Sequence, residues 1–187
     1  MNKPTGQRIP GYRSESGFTL IEMIIVIIIL GILAMIIIPQ VTVSTDDAKV
    51  SSLKANLTSL RSSIEVYYAQ HNMTYPGIKK ATDGTTATAT ADEALAAFSA
   101  QLLQYSDATG KVSTTADAAY PYGPYIKNNK LPDNPYKDNT VVCDLTVTDL
   151  TAARAADGTT GWKYLPKIGV LFANDNGTSG GVNHSTY

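Results

Sequence analysis

The fold of this chain is decided by residues 17–39, Gly-Phe-Thr-Leu-Ile-Glu-Met-Ile-Ile-Val-Ile-Ile-Ile-Leu-Gly-Ile-Leu-Ala-Met-Ile-Ile-Ile-Pro. Residues 18–38 of this stretch form an almost unbroken apolar run of 21 residues. As an α-helix the run would be about 31 Å long, which matches the bilayer hydrocarbon core of about 30 Å. A buried helix of a soluble domain rarely needs so continuous a run. The sequence therefore predicts a helix that spans a membrane.

One carboxylate, Glu22, lies inside this apolar run. A charge at the middle of a bilayer costs about 2.5–3.5 kcal/mol on insertion scales, so an intramembrane carboxylate usually has a function and a partner. The alternative is that Glu22, which is only one turn from the end of the run, reaches the lipid headgroups. The sequence by itself leaves both interpretations open.

The segment before the apolar run is polar and basic. It holds three basic residues against one acidic residue: Lys3, Arg8, Arg13 and Glu15. A secretory signal peptide has its cleavage site after the apolar region, whereas here a small residue, Gly17, stands before it. Cleavage after Gly17 would leave the whole apolar helix on the mature chain, with Phe18 as the new N-terminus.

Residues 17–22, Gly-Phe-Thr-Leu-Ile-Glu, followed by a long apolar helix, resemble the N-terminal signature of type IV pilins and type II secretion pseudopilins. The resemblance implies cleavage between Gly17 and Phe18 by prepilin peptidase, and N-methylation of Phe18. It also implies that Glu22 pairs with the N-terminal amine of a neighbouring subunit during filament assembly. Such pairing would stabilise Glu22, because a carboxylate in a low-dielectric helix bundle is tolerated beside a cationic amine.

The resemblance also implies where the protein resides and what it contacts. The partners it implies are further copies in a helical filament, an inner-membrane assembly platform, and minor pilins or pseudopilins. The basic residues before the helix and Asp46-Asp47 after it predict one pass through the bacterial inner membrane, with a cytoplasmic N-terminus and a periplasmic head. The net charge of −1 and the lack of a basic stripe argue against nucleic-acid binding.

The predicted fold class is α+β, with a long kinked N-terminal helix packed on a small antiparallel sheet. We expect a leader peptide at 1–17, a membrane and filament-core helix at 18–39, an amphipathic continuation at 40–76, and a head at 77–187. Apolar residues of the continuation recur at intervals of three and four, which predicts one buried helical face: Val50, Leu53, Leu57, Leu60, Ile64 and Tyr67.

Two residues weaken the apolar helix, Gly31 and Pro39. Glycine costs about 1 kcal/mol relative to alanine inside a helix. Proline removes a backbone hydrogen bond and clashes with the preceding turn, so Pro39 should kink or break the helix. In related filaments the helix loosens between the matching positions, so both residues are candidates for a role in assembly. A simple kink without such a role is the alternative.

The head is predicted from several shorter patterns. Thr90 to Glu93 form a capping box before a short helix. A strand is expected at 140–147 and a hairpin at 161–173, with its turn at 166–169. The 120–136 segment is aromatic and rich in turn residues, and the tail from residue 174 is expected to be polar and mobile. The lone Cys143 excludes an intramolecular disulfide and is expected to be a buried side chain rather than a reactive thiol.

No cofactor is expected, with calcium as the one candidate. Some major pseudopilins bind calcium near their C-terminal strands, and four residues here offer the oxygen ligands that calcium prefers: Asp133, Asp138, Asp175 and Asn176. No spacing among them matches an EF-hand. A plain solvated loop is the alternative interpretation.

The sequence predicts a structural protein and not an enzyme. It contains no phosphate-binding loop, nucleophile elbow, zinc-protease motif or Cys-x-x-Cys pair, and both histidines, His71 and His184, are expected to be solvated. The function that the resemblance favours is major pseudopilin of a type II secretion system. One alternative is a type IV pilus subunit for adhesion, motility or DNA uptake. A second is a membrane-tethered binding module that never polymerises and holds a ligand through residues 120–136.

Overall fold

The computed structural model describes residues 17–149 and 155–187, without the side chains of residues 36–44. Two α-helices, seven short strands and one 3₁₀ turn occupy the described residues, so the predicted α+β class is confirmed. The helices are α1 (Leu20–Gln70) and α2 (Ala91–Leu103). The strands are β1 (Tyr105–Ser106), β2 (Val112–Ser113), β3 (Val141–Cys143), β4 (Trp162–Leu165), β5 (Val170–Ala173), β6 (Thr178–Ser179) and β7 (Val182–Asn183), and the 3₁₀ turn is His184–Thr186.

The chain divides into two compact units between Ser44 and Thr45, within α1. The first unit contains the apolar part of the helix. The second unit, which is called the head below, runs from Thr45 to Tyr187 and contains every other element.

The part of α1 that lies in the head buries one face. Five of the six residues in the predicted stripe are at most 2% exposed, and Val50 is half-buried: Leu53, Leu57, Leu60, Ile64 and Tyr67 form the buried set. Apolar residues at this spacing lie on one side of a 3.6-residue helix, so they meet the rest of the head together. They pack with α2 and with the strands β3, β4 and β5 in a single core.

Helix α2 begins where its capping box predicts. The Thr90 hydroxyl accepts a hydrogen bond from the Glu93 backbone N–H at 3.2 Å, which satisfies one donor that the first turn leaves free. The Glu93 carboxylate accepts from the Ala89 N–H and pairs with Lys80 at 2.8 Å. Phe98 and Leu102 are fully buried on the inner face of α2, and the Phe98 ring lies 4.3 Å from the Tyr164 ring.

The central sheet has three strands in the order β3-β4-β5 and is mixed rather than wholly antiparallel. Strands β4 and β5 form the predicted antiparallel hairpin, whereas β3 lies parallel to β4, with Val141 opposite Trp162. The connection between Cys143 and Trp162 explains the difference. A parallel neighbour needs a crossover of a dozen or more residues, and this connection is long enough to provide one.

The turn of the β4–β5 hairpin depends on Gly169. Its backbone has φ +69°, a left-handed conformation that residues with a side chain rarely adopt. A Cβ at this position would also collide with the ring of Tyr75. The hairpin predicted at 161–173 is therefore confirmed, and its turn packs against the segment that follows α1.

The loops of the head share one local device, a carboxylate that accepts hydrogen bonds from the backbone and the hydroxyl of a threonine two residues later. Four of these Asp-x-Thr turns lie at Asp107, Asp138, Asp144 and Asp157. Asp83 uses the backbone of Thr85 and the hydroxyl of Thr86 in the same way. These side chains replace the backbone partners that an irregular loop lacks.

Two expectations about the head were wrong. The tail from residue 174 is not free: β6 and β7 pair in a small hairpin, and Ser185 in the turn after it is only 5% exposed. The histidines are not solvated, since His71 and His184 are each 1% exposed. Both rings pack against tyrosines, which a polar composition does not reveal: His71 stacks on Tyr67 at 3.7 Å, and His184 lies tilted against Tyr136 at 4.2 Å.

Candidate functional site

The peptide bond between Gly17 and Phe18 lies in an exposed segment before the first helix. Helix α1 begins only at Leu20, and Phe18 is 79% exposed. A Cβ added to Gly17 would meet no heavy atom within 4 Å, so the space on that side of the backbone is open. Among the described residues, nothing of the chain covers this bond from a protease.

Glu22 and Thr19 form a capping box at the start of α1. The Thr19 backbone N–H and hydroxyl both donate to the Glu22 carboxylate, at 2.8 and 2.7 Å. The Glu22 backbone N–H in turn donates to the Thr19 hydroxyl oxygen at 3.3 Å, and the Thr19 carbonyl accepts from Met23. Reciprocal bonds of this kind satisfy two backbone donors that a helix N-terminus otherwise leaves free.

The capping box gives Glu22 a partner inside its own chain. A carboxylate near a helix N-terminus is also stabilised by the helix dipole, typically by 0.3–1 kcal/mol at a surface site. The sequence signal for this arrangement, Thr-x-x-Glu directly before an apolar run, is present at 19–22. Sequence reasoning used the same signal at Thr90 but missed it here, because the apolar run dominated the interpretation.

The helix that follows carries apolar side chains on all of its sides. Every residue from Leu20 to Met35 is exposed. The large apolar side chains among them are 38–78% exposed: Leu20, Ile21, Met23, Ile24, Ile25, Val26, Ile27, Ile28, Ile29, Leu30, Ile32, Leu33 and Met35. Soluble monomers rarely expose a contiguous apolar surface of this extent, and such surfaces mark sites of contact with a membrane or with other proteins.

Within the described residues, no helical stretch combines the length and the apolarity that a membrane crossing requires. The predicted span at 18–38 extends past Met35, and the side chains of residues 36–38 lie outside those that the structure describes.

The other two assembly candidates lie in α1. Gly31 is exposed, and a Cβ there would meet nothing outside the backbone of its own helix within 4 Å. The side chain of Pro39 lies outside the described ones, and the helix assignment continues through it. A kink at Pro39 and a role for either residue in assembly therefore stay predictions.

The four calcium candidates are occupied by protein partners or exposed. Asp133 pairs with Lys130 at 3.0 Å on the surface. Asp138 serves an Asp-x-Thr turn, and it also accepts from the Gly161 N–H. Asp175 accepts from His184 at 2.8 Å, and Asn176 has the left-handed φ of +56°. In the part of the chain that the structure describes, no three His, Cys, Asp or Glu residues gather in a way that could hold a metal ion.

The lone thiol is part of the core, as predicted. Cys143 ends β3 and is 3% exposed. Burial raises the pKa of the Cys143 thiol to about 12, so it stays protonated at neutral pH. Reactive cysteines are partly exposed thiolates, and Cys143 has neither property.

A family model described as the prokaryotic N-terminal methylation motif matches residues 12–38. The matched range contains the exposed bond at 17–18, the capping box, and the apolar part of α1. The match confirms the predicted resemblance to the family of type IV pilins and pseudopilins, on the residues that carry it.

Three curated relatives carry the name type II secretion system core protein G. The relative from Pseudomonas aeruginosa is 40% identical over 68 residues, which are 36% of this chain and 47% of that protein. Those from Aeromonas hydrophila and Pectobacterium carotovorum are 32% and 34% identical over 71 and 70 residues, or 38% and 37% of this chain and 49% and 44% of theirs. The chain thus spans about half the length of the curated relatives it matches. No solved structure matches it.

Proposed function

Because this chain carries the N-terminal signature of the type IV pilin and pseudopilin family, we propose that it is the structural subunit of a pilus-like filament, the major pseudopilin of a type II secretion system. The observation that carries this proposal is the apolar part of α1, whose side chains from Leu20 to Met35 are all exposed and which follows an exposed bond at 17–18. A helix that is apolar on every side needs lipid or other helices around it, and a filament subunit uses both in turn.

The first step of the proposed pathway is cleavage and modification. Prepilin peptidase cuts between Gly17 and Phe18, where the segment is exposed and precedes the helix. The new amine of Phe18 is then methylated. Cleavage leaves the Thr19–Glu22 capping box intact, so the helix of the mature chain begins with two of its N-terminal donors satisfied.

The second step is storage of the subunit in the inner membrane. We propose a single pass by the helix at 18–39, with the head in the periplasm. The three basic residues before the helix (Lys3, Arg8 and Arg13) favour a cytoplasmic N-terminus. In this state the Thr19 hydroxyl and N–H serve the Glu22 carboxylate, which lowers the free energy of holding it near the apolar region.

The third step is assembly with further copies and with minor pseudopilins on an inner-membrane platform. Glu22 then pairs with the Phe18 amine of a neighbouring copy. A cationic amine offers a carboxylate a stronger interaction than neutral donors do, because two opposite charges attract each other strongly in a low-dielectric helix bundle. The charge pair selects the register of adjacent helices, and the apolar surface supplies the cohesion of the filament core.

Intact-mass analysis of the protein from cells with an active prepilin peptidase tests this proposal. We expect the mass of residues 18–187 plus one methyl group. A Gly17→Leu variant should keep the full-length mass, and a Gly11→Leu variant in the same polar segment should be processed normally. A full-length, unmethylated mass for the unaltered protein would contradict the proposal and favour a tethered binding module.

Separating a pseudopilin from a surface pilus subunit needs a second observation. Deletion of the chain in its own organism should stop the release of secreted proteins and leave surface fibres and twitching motility unchanged. Loss of surface fibres with normal secretion would assign the chain to a type IV pilus instead.

A further inference from the structure

Five polar side chains of the head form one continuous hydrogen-bonded chain, which we call the His184 network: Asp46, Tyr136, Ser179, His184 and Asp175. The Tyr136 hydroxyl lies 2.8 Å from Asp46 Oδ1 and 3.0 Å from Ser179 Oγ. Ser179 Oγ lies 3.0 Å from His184 Nε2, and His184 Nδ1 lies 2.8 Å from Asp175 Oδ1. Each member therefore touches the next within hydrogen-bond distance.

The His184 network joins distant parts of the sequence. Asp46 lies in α1, Tyr136 precedes β3, and Ser179, His184 and Asp175 come from the C-terminal segment after β5. His184 is 1% exposed and the Asp175 side chain 3%. The network thus holds the last described residues of the chain against the first turns of the head's helix.

A calcium ion does not fit these residues. The Oδ1 atom of Asp175 already accepts from His184 and from the Gly177 N–H, and its Oδ2 atom accepts from the Asn134 amide at 2.6 Å. Calcium needs six to eight oxygen ligands, and these oxygens are used by protein donors. A Cβ on Gly177 would lie 2.8 Å from the His184 ring, so the space beside the ring is also filled.

The number of hydrogens that the network requires determines the protonation state of His184. Four contacts link the five side chains, and each contact needs one hydrogen. The Tyr136 hydroxyl brings one, the Ser179 hydroxyl one, and a neutral imidazole one, because ionised carboxylates only accept. The hydrogen bond from Tyr136 holds the pKa of Asp46 below its ordinary value, so Asp46 brings none at neutral pH. A doubly protonated His184 supplies the fourth.

His71 provides an internal comparison for this count. Its Nδ1 lies 2.8 Å from the Tyr67 carbonyl oxygen and its Nε2 lies 2.9 Å from Ser106 Oγ. These two contacts need two hydrogens, which the Ser106 hydroxyl and a neutral imidazole supply. Burial lowers the pKa of His71, in agreement with a neutral ring.

The charged groups around the His184 network are consistent with a cation at its centre. The carboxylates of Asp175 and Asp46 flank it along the chain of hydrogen bonds. From α1, the Lys49 ammonium lies 5.5 Å from the centre of the Tyr136 ring, and that of Lys54 lies 4.3 Å from the centre of the Tyr187 ring. Both ammonium groups lie over ring faces, and among the described contacts neither forms an ion pair with Asp46 or Asp175.

We propose that His184, as an imidazolium, is an internal cation that fastens the C-terminal segment to α1, and that no calcium ion enters this place. The head then needs neither a disulfide nor a metal to close its C-terminal loop. This inference concerns the head alone and does not depend on filament assembly.

Imidazole ¹⁵N chemical shifts of the full chain in detergent at pH 7 test the proton count. We expect imidazolium shifts for His184 and neutral shifts for His71, with a His184→Gln variant used for assignment. Tyr136→Phe removes the contacts that the Tyr136 hydroxyl makes with Asp46 and Ser179. The hydrogens of Ser179 and of a neutral imidazole then satisfy the two contacts that remain. His184 should therefore become neutral, although the aromatic ring beside it is retained. Tyr120→Phe is the matched control and should change nothing. A neutral His184 in the unaltered protein would overturn the proposal.

Thermal unfolding of the same protein tests the exclusion of calcium. The midpoint should stay within about 1 °C when calcium chloride is exchanged for EDTA, whereas His184→Gln should lower it by roughly 10 °C at pH 7. A midpoint that rises by several degrees with calcium would contradict the proposal even if the ¹⁵N shifts agreed with it.

Discussion

Helix α1 has two parts that use the same kind of residue in opposite ways. Leu60, in the head, is 1% exposed, whereas Leu30, in the apolar part, is 59% exposed. The head part places its apolar residues on one stripe and buries them against its own chain. The apolar part carries them on every side, and its side chains from Leu20 to Met35 are all exposed. The comparison teaches that the same residue type stabilises the head from within, whereas in the apolar part it presents a surface suited to lipid or to other helices.

The largest expected effect comes from the same substitution in the two parts. Leu60→Ala should lower the free energy of unfolding of the head by about 2–5 kcal/mol, because it removes buried surface and leaves a cavity. Leu30→Ala should leave that free energy unchanged. Urea unfolding of the full chain in detergent, followed by the fluorescence of the single and fully buried Trp162, measures both. Equal effects of the two variants would refute the division of roles.

A smaller effect is expected where the head ties α1 to its C-terminal segment. The Arg61 guanidinium donates to the carbonyl oxygens of Leu171 and Tyr187 at 3.0 and 2.7 Å. Arg61→Met keeps the stem but removes both bonds, and should cost about 2 kcal/mol. Lys54→Met, which removes a cation above the Tyr187 ring, should cost about 0.5 kcal/mol in the same unfolding assay. The reverse order would show that these contacts do not close the head.

The two capping boxes sharpen the comparison further. Thr90→Ala removes the cap of α2 in the head and should destabilise the head by about 1 kcal/mol. Thr19→Ala removes the equivalent cap of the apolar part and should leave head unfolding unchanged. Helix content of the full chain in detergent, measured by circular dichroism, should fall slightly for Thr19→Ala. A loss of head stability in that variant would mean that the two parts are coupled.

The smallest expected effect is a loss of head stability at low pH. The Thr86 hydroxyl, followed by the backbone N–H groups of Thr85 and Thr86, lowers the pKa of Asp83 to about 2. An unfolded aspartate titrates near 3.9, so this stabilisation is present above pH about 4 and is lost as the pH falls toward about 2. Thermal midpoints between pH 6 and 2 should therefore fall less steeply for Asp83→Asn and for Thr86→Val. Unchanged profiles in both variants would contradict this account of the turn.

The other Asp-x-Thr turns should stabilise the head with the same dependence on pH. Thr140 lowers the pKa of Asp138, Thr146 that of Asp144, and Thr159 that of Asp157, in each case chiefly through the hydroxyl.

Local patterns predicted much of this structure because their physical causes are local. The stripe from Leu53 to Tyr67 follows from helical spacing, the start of α2 from its capping box, and the β4–β5 hairpin from alternation around Gly169. The segment at 17–18, which the motif singled out as a candidate cleavage site, is likewise exposed, because it precedes the first helix.

Other features depended on contacts between residues far apart in the sequence. The parallel pairing of β3 with β4 requires a long connection, and no local pattern in the sequence indicates which strand β3 will join. The burial of His184 depends on Tyr136 and Asp46, which lie far earlier in the chain. The polar composition of the tail from residue 174 predicted mobility. The structure shows instead that this tail is held by hydrogen bonds to polar partners elsewhere in the head.

The central claim is that Glu22 has an assembly function that other carboxylates of α1 lack. The most direct measurement is the amount of filament recovered from cells that express Glu22→Ala, compared with Glu65→Ala on the exposed side of the head part of the helix. The account predicts that Glu22→Ala is cleaved and retained in the membrane but yields at least about tenfold less filament, because the buried amine of a neighbour loses its partner. Glu65→Ala should assemble normally. Normal filaments from Glu22→Ala would contradict the account.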